Sequence, residues 1–541
     1  MHIGFGHHIC ASALLLATAS VAAAQEAPVT GAAAAETPAD RRIDILNYRI
    51  EGNTVLARMD VEKAVLPFLG PKRSTADVEN ARVALVKAYR AKGFETVDVE
   101  IPEQDVRGGI VRLNVVELRV GRLRVTDARF TSPGAVKARA PSIAEGTVPN
   151  YTAIYRDVAA LNKSSDRTIT PALRAGDTPG TVDIDLQVED KLPLHATLEL
   201  NDRTSARTKR LRTSASVSYS NLFQMDHSAS IQGQFSPENP KQSWVVSGSY
   251  AAPIAGTGFT IVGYGVHSDS DVAAIGGIGV LGSGDIVGVR GIYNFSGGEG
   301  RFHTITAGVD YKSFNESLIL GSDTAATPID YIPLTLQYAF ARRGPRSDLD
   351  LSLALNFGVR GLTASDEEFR LKRFSASASW AYLRADLSYL YRMRGDLRIG
   401  VRFGGQFSRQ PLISNEQFSA GGLESVRGYY ESQALGDSGY FSQLDVESPS
   451  LHKPLGKTID ELRLFAFIDS ARTWIRNPLA DINGAVDDGA SLSSVGLGLR
   501  LKAFRKLNLS TLLAMPLVDR GSALTDINDR LRAQFRVWLE F

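Results

Sequence analysis

The residues whose types and spacing could do specific chemistry are charged side chains set among aromatic residues and glycines. A glycine-bearing segment, 409–438, contains the first motif, which consists of Val426, Arg427, Gly428 and Tyr429. The second motif lies in an alternating polar–apolar segment and consists of Phe467, Asp469 and Ala471. An arginine and a carboxylate can form a charge-assisted, hydrogen-bonded pair that fixes two chain segments together. The alternative is that Arg427 and Asp469 are separately solvated, as most charged side chains are.

Patterns for catalysis and for metal binding are weak or missing in the sequence. The spacing Gly277-x-Gly279-x-x-Gly282 matches a dinucleotide-binding fingerprint, but no helix is predicted after it. No serine-hydrolase elbow and no zinc-protease His-Glu-x-x-His motif occurs. The histidines beyond the N-terminal segment are isolated from one another, at His195, His227, His267, His303 and His452. We therefore expect no enzyme activity, no catalytic residue, no cofactor and no metal, and the net charge of +1 disfavours a nucleic-acid partner.

The segment 194–541 has the pattern of an outer-membrane β-barrel. Beyond residue 25 no apolar run approaches the roughly 18 residues that a membrane-spanning helix needs, whereas barrel strands only alternate. Sixteen alternating segments can be counted, the tenth at 372–392. Tight turns on one side alternate with long connections on the other, among them 269–283, 313–330, 361–371, 409–438 and 475–489. This asymmetry predicts a sixteen-stranded antiparallel transmembrane β-barrel with the long loops outside the cell.

The alternation also predicts which side chains face the inside of the barrel. On the segment 460–474, Leu464 and Ile468 lie on the apolar outer face, so Phe467 and Asp469 point into the lumen. A barrel of sixteen strands is too wide for its wall side chains to fill, so water or a plug must occupy it. A loop folded inward could bring Arg427 to Asp469, and on the residues alone separate solvation of the two charges stays open. A soluble β-sandwich also alternates, but it does not explain the one-sided loop lengths.

Two smaller units precede the barrel, at 43–119 and 120–190. Each has the predicted order strand, helices, two strands, and is long enough for a three-stranded sheet covered by helices. We expect the first unit to end in a strand with an open edge, which could bind an extended peptide by strand addition. The alternative is that both units are spacers.

The first 24 residues are predicted to be an export signal peptide. An apolar run rich in alanine and leucine ends in an Ala-x-Ala cleavage pattern, and 25–42 is then a linker rich in alanine, proline and threonine. The single cysteine, Cys10, lies in the signal, so the exported chain would have no thiol and no disulfide. The alternative is a buried N-terminal helix.

The two motifs and the terminal Phe541 together resemble the outer-membrane protein assembly superfamily. The count of two POTRA-like units, 43–119 and 120–190, resembles its two-partner secretion branch, the haemolysin and filamentous-haemagglutinin transporters. A further segment resembles the second POTRA domain of that branch: Leu161-Asn162, Arg167-Thr168-Ile169, Leu173-Arg174-Ala175-Gly176 and Pro179-Gly180-Thr181. One departure is Ala471, where the family usually has glycine.

The resemblance implies a transporter that moves one secreted partner protein across the outer membrane of a Gram-negative bacterium. The POTRA domains would bind the N-terminal secretion domain of this cargo in the periplasm, and the unfolded cargo would pass through the barrel without ATP. The loop at Arg427 would lie in the lumen, held to Asp469. Outer-membrane lipid and the barrel-assembly machinery would be the other partners, with Phe541 as the terminal barrel signature. The rivals are an assembly factor that inserts other barrels, with three to five POTRA domains as a rule, and a passive porin or adhesin.

Overall fold

The computed structural model describes most of the chain beyond its N-terminal segment. The described residues are 42–106, 108–206, 208–240, 243–269, 272–275, 278–281, 283–320, 323–362, 364–452, 454, 456–480, 486, 488–520 and 531–541. The predicted signal peptide and nearly all of the linker lie outside them. The chain divides into two compact units on either side of Pro193. Among the described helices, none has the length and apolar character needed to cross a membrane.

The first half of the N-terminal unit has a three-stranded sheet covered by two helices, and its first and third strands form a separate two-stranded sheet. Its elements are β1 (Ile43–Ile45), β2 (Asn47–Glu51), α1 (Arg58–Val65), β3 (Gly70–Arg73), α2 (Thr75–Ala91), β4 (Val97–Glu100) and β5 (Ile110–Glu117). Helix α2 begins where predicted, because Ser74 and Asp77 form a reciprocal capping box. The predicted helical face, which includes Leu85 and Tyr89, is buried in the core. The predicted helix 54–69 is shorter than expected, since α1 begins only at Arg58.

The second half repeats the three-stranded sheet with its helices after a single linking residue, Leu118. Its elements are β6 (Arg119–Thr126), α3 (Pro133–Ala138), α4 (Tyr151–Leu161), β7 (Arg167–Ala175) and β8 (Thr181–Asp190). The strand order is β2–β5–β4 in the first sheet and β6–β8–β7 in the second. The prediction that the first unit ends in an open-edged strand is therefore wrong. Strand β5 pairs in parallel with β2 and antiparallel with β4, so both of its edges are used, and β4 lies at the edge.

The C-terminal unit is a closed antiparallel barrel, which confirms the predicted fold. Its wall strands are β9 (Leu194–Asn201), β10 (Arg212–Leu222), β11 (His227–Phe235), β12 (Trp244–Pro253), β13 (Phe259–Asp269), β16 (Gly284–Ser296), β17 (Arg301–Leu320), β18 (Asp323–Tyr331), β19 (Pro333–Arg343), β20 (Ser347–Gly358), β21 (Ala381–Arg392), β22 (Arg398–Ser408), β25 (Ser438–Glu447), β26 (Ile459–Trp474), β27 (Ser491–Ala503), β28 (Leu507–Arg520) and β29 (Arg532–Glu540). Strands β18 and β19 both pair with β17 and are separated only by Ile332, so they form one wall strand and the barrel has sixteen. Between wall strands lie the hairpins β14 (Val272–Ile275) with β15 (Ile278–Leu281), and β23 (Phe418–Ala420) with β24 (Ala434–Gly436), and the helix α5 (Asp366–Lys372).

Two predicted boundaries in the barrel are wrong. The expected loop 313–330 is largely strand, because β17 and β18 stay paired from Lys312 opposite Tyr331 to Leu320 opposite Asp323. The expected strand 372–392 begins only at Ala381, because α5 precedes it. Ser365 and Glu368 form a capping box that satisfies the first N–H groups of α5, and Phe369 on its inner face is buried.

Candidate functional site

The segment between β22 and β25, residues 409–437, folds into the barrel lumen. Its hairpin β23–β24 and its motif residues bury an apolar cluster against the inner wall. Val426 and Tyr429 in this cluster are fully buried, and Phe418 stacks on Phe441 of β25. A loop of the chain itself therefore occupies part of the lumen. The barrel width predicts that water or a plug fills this space, and the loop is part of such a plug.

Arg427 and Asp469 lie in contact inside the lumen. The guanidinium Nη2 is 2.6 Å from Asp469 Oδ1, and Nε donates to Asp469 Oδ2 at 2.7 Å. The main-chain N–H of Arg427 also donates to Oδ2, at 2.9 Å. Both side chains are almost completely buried, with 5% and 0% of their surface exposed. The Asp469 carboxylate thus accepts three hydrogen bonds from Arg427. It therefore holds the loop backbone as well as the arginine side chain in place.

Strand β26 provides the wall on which this pair is built. Leu464 and Ile468 are each half exposed on its outer face, whereas Phe465, Phe467 and Asp469 are buried on the lumen face, as the alternation predicts. The guanidinium carbon of Arg427 lies 3.8 Å from the centre of the Phe467 ring. This geometry is a cation–π contact, so Phe467 contributes to the binding of the arginine as well as to packing.

Asp445 is a second carboxylate at this arginine, and the sequence reasoning missed it. Its Oδ1 accepts a hydrogen bond from Arg427 Nη2 at 2.6 Å, and its Oδ2 accepts one from Arg500 Nη2 at 3.1 Å. Arg500 in turn pairs with Glu447. The alternation of β25 could have indicated Asp445, because its ladder partner Phe467 faces the lumen and directly opposed residues share a face.

Gly428 and Tyr429 fit the loop tip to the last strands of the barrel. Gly428 has φ +90°, and a Cβ at this position would lie 2.8 Å from the Ala514 side chain, so both conformation and space require glycine. The Gly428 N–H donates to Gln534 Oε1 at 2.8 Å. The Tyr429 hydroxyl donates to Ser493 O at 2.8 Å and also bonds Val518 O. The motif residues therefore lock the loop through packing and hydrogen bonds on each side of Arg427.

The remaining predicted residues lie at the wall and at the chain end. Ala471 is buried in the cluster that contains Tyr429, so the methyl group that replaces the usual glycine hydrogen is accommodated by packing. Phe541 is 59% exposed on the outside of the barrel. Its main chain exchanges two hydrogen bonds with Ala196 of β9, which places it at the point where the barrel closes.

The second POTRA-like segment of the sequence also has a structural explanation. The Asn162 side chain accepts from the Ile169 N–H at 2.7 Å and donates to the Ile169 carbonyl at 2.9 Å. Arg167 Nε donates to the Leu161 carbonyl at 2.7 Å. These bonds tie the end of α4 to the start of β7, and they require an amide and an arginine at this spacing.

The lumen beside the ion pair contains a cavity of about 560 Å³. Its lining combines arginines with carboxylates and aromatic rings, including Arg402, Glu424, Arg427, Asp445 and Phe465. A group of three or more side chains placed to hold a metal ion does not occur among the described residues. The arrangement is a polar cavity in the lumen beside a fixed loop.

The comparisons with known proteins decide the family. A model of the haemolysin secretion/activation protein family ShlB/FhaC/HecB matches residues 180–501, and a model of the ShlB-type POTRA domain matches residues 43–117. The chain belongs to the ShlB/FhaC/HecB family. As a family member it is an outer-membrane β-barrel transporter with periplasmic POTRA domains, of the two-partner secretion type. No curated protein matches it.

Solved structures share the fold of this ShlB/FhaC/HecB-family transporter at low sequence identity. CdiB from Escherichia coli is similar with a TM-score of 0.63 and 17% identity, over 94% of this chain and 93% of that one. CdiB from Acinetobacter baumannii gives a TM-score of 0.55 and 16% identity, over 92% and 90%. BamA from Haemophilus ducreyi lacking POTRA domains 1–3 gives 0.55 and 15% identity, over 92% and 100%.

Proposed function

We propose that this transporter recognises one secreted partner protein in the periplasm through its two POTRA-like halves and moves it unfolded through the lumen, without ATP. The observation that carries the proposal is the lumen loop, which is held in the passage by one buried arginine on two carboxylates. Arg427 concentrates the charge-assisted contacts of the loop on one side chain, so the loop can be released and recaptured when this one residue changes partners. A passive porin would need neither this loop nor periplasmic domains.

The edge strand β4 is the proposed place where the cargo binds. Two polar groups of Val99 are bonded outside the β4–β5 ladder. Its N–H donates to Asp98 Oδ1 at 2.8 Å, and its carbonyl accepts from Arg82 Nη1 at 3.2 Å. An extended cargo segment that adds to β4 would take over both bonds with its own main chain. The two side chains are thus competitors of the cargo at this edge.

This competition allows cargo binding to be tested with a variant that leaves the fold of the periplasmic unit intact. Replacing Asp98 by Ala frees the Val99 N–H, and we expect the variant to bind the secretion domain of the cargo more tightly than the wild type. The measurement is the dissociation constant between the full-length transporter in detergent and the purified N-terminal fragment of a candidate secreted partner. Glu62→Ala is the matched control, because Glu62 is an exposed carboxylate on α1 that pairs with the neighbouring Arg58.

Unchanged affinity in Asp98→Ala would contradict binding at β4. The proposed transport function would survive that result if secretion of the partner still required the transporter. An insertase is the rival function, and it would instead change the amounts of other outer-membrane barrels when the protein is removed. Direction without ATP would come from folding of the cargo outside the cell.

A further inference from the structure

The barrel closes along a seam that has fewer paired positions than the junctions on either side of it. Strands β9 and β29 pair at five positions, from Arg536 opposite Asn201 to Glu540 opposite Thr197. The junction of β26 and β27 has thirteen paired positions. Fewer ladder hydrogen bonds hold the seam than hold that junction, so additional contacts across the seam carry more of its stability.

The loop tip binds the last strand from the lumen side. Gln534 of β29 is buried, and its Oε1 accepts the Gly428 N–H at 2.8 Å. The guanidinium of Arg532, also on β29, lies over the Tyr430 ring at 4.0 Å and donates to the Gly428 carbonyl at 3.3 Å. These contacts involve backbone and side chains of the loop, so the tip cannot leave β29 without losing them together.

The same tip binds the chain that continues directly from the first strand. The Glu431 N–H donates to the Thr204 carbonyl at 2.9 Å. Arg203 Nε donates to Glu431 Oε1 at 3.1 Å, and about 15% of each of these two side chains is exposed. Residues 203 and 204 follow β9 after only Asp202. Gly428 and Tyr430 therefore bind one side of the seam and Glu431 binds the other.

We propose that residues 428–431 are a seam staple, which holds the first and last barrel strands together while the loop lies in the lumen. Arg427, next to the staple, is fixed to Asp469 on β26, so the staple is anchored to a wall that does not belong to the seam. Position of the loop and closure of the barrel are thereby coupled: a loop that leaves the lumen removes its contacts from both seam strands. This coupling depends only on the contacts within the barrel and not on the identity of the cargo.

The test weakens the staple and asks whether a covalent bond across the seam repairs the damage. Gln534→Leu removes the acceptor for Gly428, and Arg203→Met removes the partner of Glu431. The readout is the temperature at which the purified full-length barrel loses its heat-modifiable folded form on electrophoresis. We expect each variant to lower this temperature, and the two together to lower it further.

A seam disulfide separates the staple from general stability. Ala196 and Phe541 exchange two main-chain bonds, so the neighbouring pair Thr197 and Glu540 is of the non-bonded type, whose Cα atoms lie closer. Thr197→Cys with Glu540→Cys is therefore the seam cross-link, in a chain whose one native cysteine is Cys10. Ala339→Cys with Ser352→Cys, opposite each other on β19 and β20, is the matched cross-link elsewhere.

In Gln534→Leu and Arg203→Met, oxidation of the seam cross-link should raise the unfolding temperature most of the way back to that of the wild type. Oxidation of the β19–β20 cross-link should not restore it. Asp310→Asn is the control variant. Asp310 on β17 is a buried lumen carboxylate that pairs with Arg290 on β16, away from the seam. Its loss should not be repaired by the seam cross-link. Equal repair by both cross-links, or no loss in either staple variant, would overturn the proposal. If the double variant does not insert into the membrane, the comparison of the two cross-links is made in each single variant.

Discussion

Arg427 attaches the lumen loop to the barrel wall through two carboxylates, Asp469 and Asp445. Removing Arg427 and removing Asp469 therefore have different consequences. Asp469→Ala leaves the guanidinium with Asp445, which still accepts from Nη2. Arg427→Ala leaves Asp469 without its side-chain partner, and no cation then stands between it and Asp445. Breaking a buried pair costs about 3–5 kcal/mol when the remaining charge is unpaired. The arginine is therefore the more sensitive member.

The prediction at this scale is a double-mutant cycle on Arg427→Ala and Asp469→Ala. Each single variant should strongly reduce secretion of the partner with the barrel still inserted, and Arg427→Ala should lower barrel stability more. The double variant should be little worse than Arg427→Ala, because it also removes the stranded carboxylate. Secretion and the heat-modifiable band are the two measurements. Strictly additive losses, or normal secretion by both single variants, would show that the two residues act independently.

Strand alternation predicts that Asp469 points into the lumen, and a glycine-rich loop permits inward folding. The pairing of Arg427 with Asp469 itself followed only from the resemblance of the two motifs to the family. The role of Asp445 could not be read as easily, because the wall position of a residue on β25 relative to β26 depends on the ladder register. In the same way Gln534 has no signal of its own in the sequence. Its importance depends on which strand ends meet when the barrel closes.

At the scale of elements, local signals and tertiary pairing compete. Helix α5 lies almost entirely in the predicted loop 361–371, although Ser365 and Glu368 have the spacing of a capping box. Only its last residue, Lys372, was placed at the start of the predicted strand 372–392. The order of the POTRA strands depends on a parallel pairing between β2 and β5 across two helices, which no local pattern encodes. Boundaries of this kind follow from contacts between residues distant in sequence.

Removal of residues 43–118 tests the role of the first periplasmic half. Each half has its own hydrophobic core, so the second half and the barrel should still fold. We expect secretion to be abolished while the inserted barrel still conducts ions in a planar bilayer. Secretion at the wild-type level by the shortened protein would support the spacer alternative instead.

Deletion of Phe541 tests the terminal strand. The residue bonds Ala196 through its main chain and presents an aromatic side chain on the outer surface. We expect less folded, heat-modifiable barrel in the outer membrane, because the seam loses two of its hydrogen bonds and the assembly machinery loses the terminal signature. Phe541→Tyr is the control, since it keeps both the backbone bonds and the ring. Equal amounts of folded barrel after deletion would count against this role.

At the scale of the whole molecule, the chain combines two periplasmic POTRA-like halves with a closed barrel whose lumen holds its own loop. The fold class was predictable, because sixteen alternating segments with one-sided loop lengths permit few other solutions. The account requires that the lumen is a path for protein and that the periplasmic units select what enters it. Both requirements concern the partner, which the sequence of the transporter does not identify.

Secretion of a large candidate partner protein is the measurement that tests the central claim most directly. A strain carrying both genes, a strain lacking the transporter and a strain with Asp469→Ala are compared for the amount of partner outside the cell, with the amount of other outer-membrane barrels as the control. The account predicts that the partner reaches the outside only with the wild-type transporter, that Asp469→Ala reduces this strongly, and that the other barrels are unchanged. Equal secretion without the transporter, or a general loss of outer-membrane barrels in its absence, would contradict it.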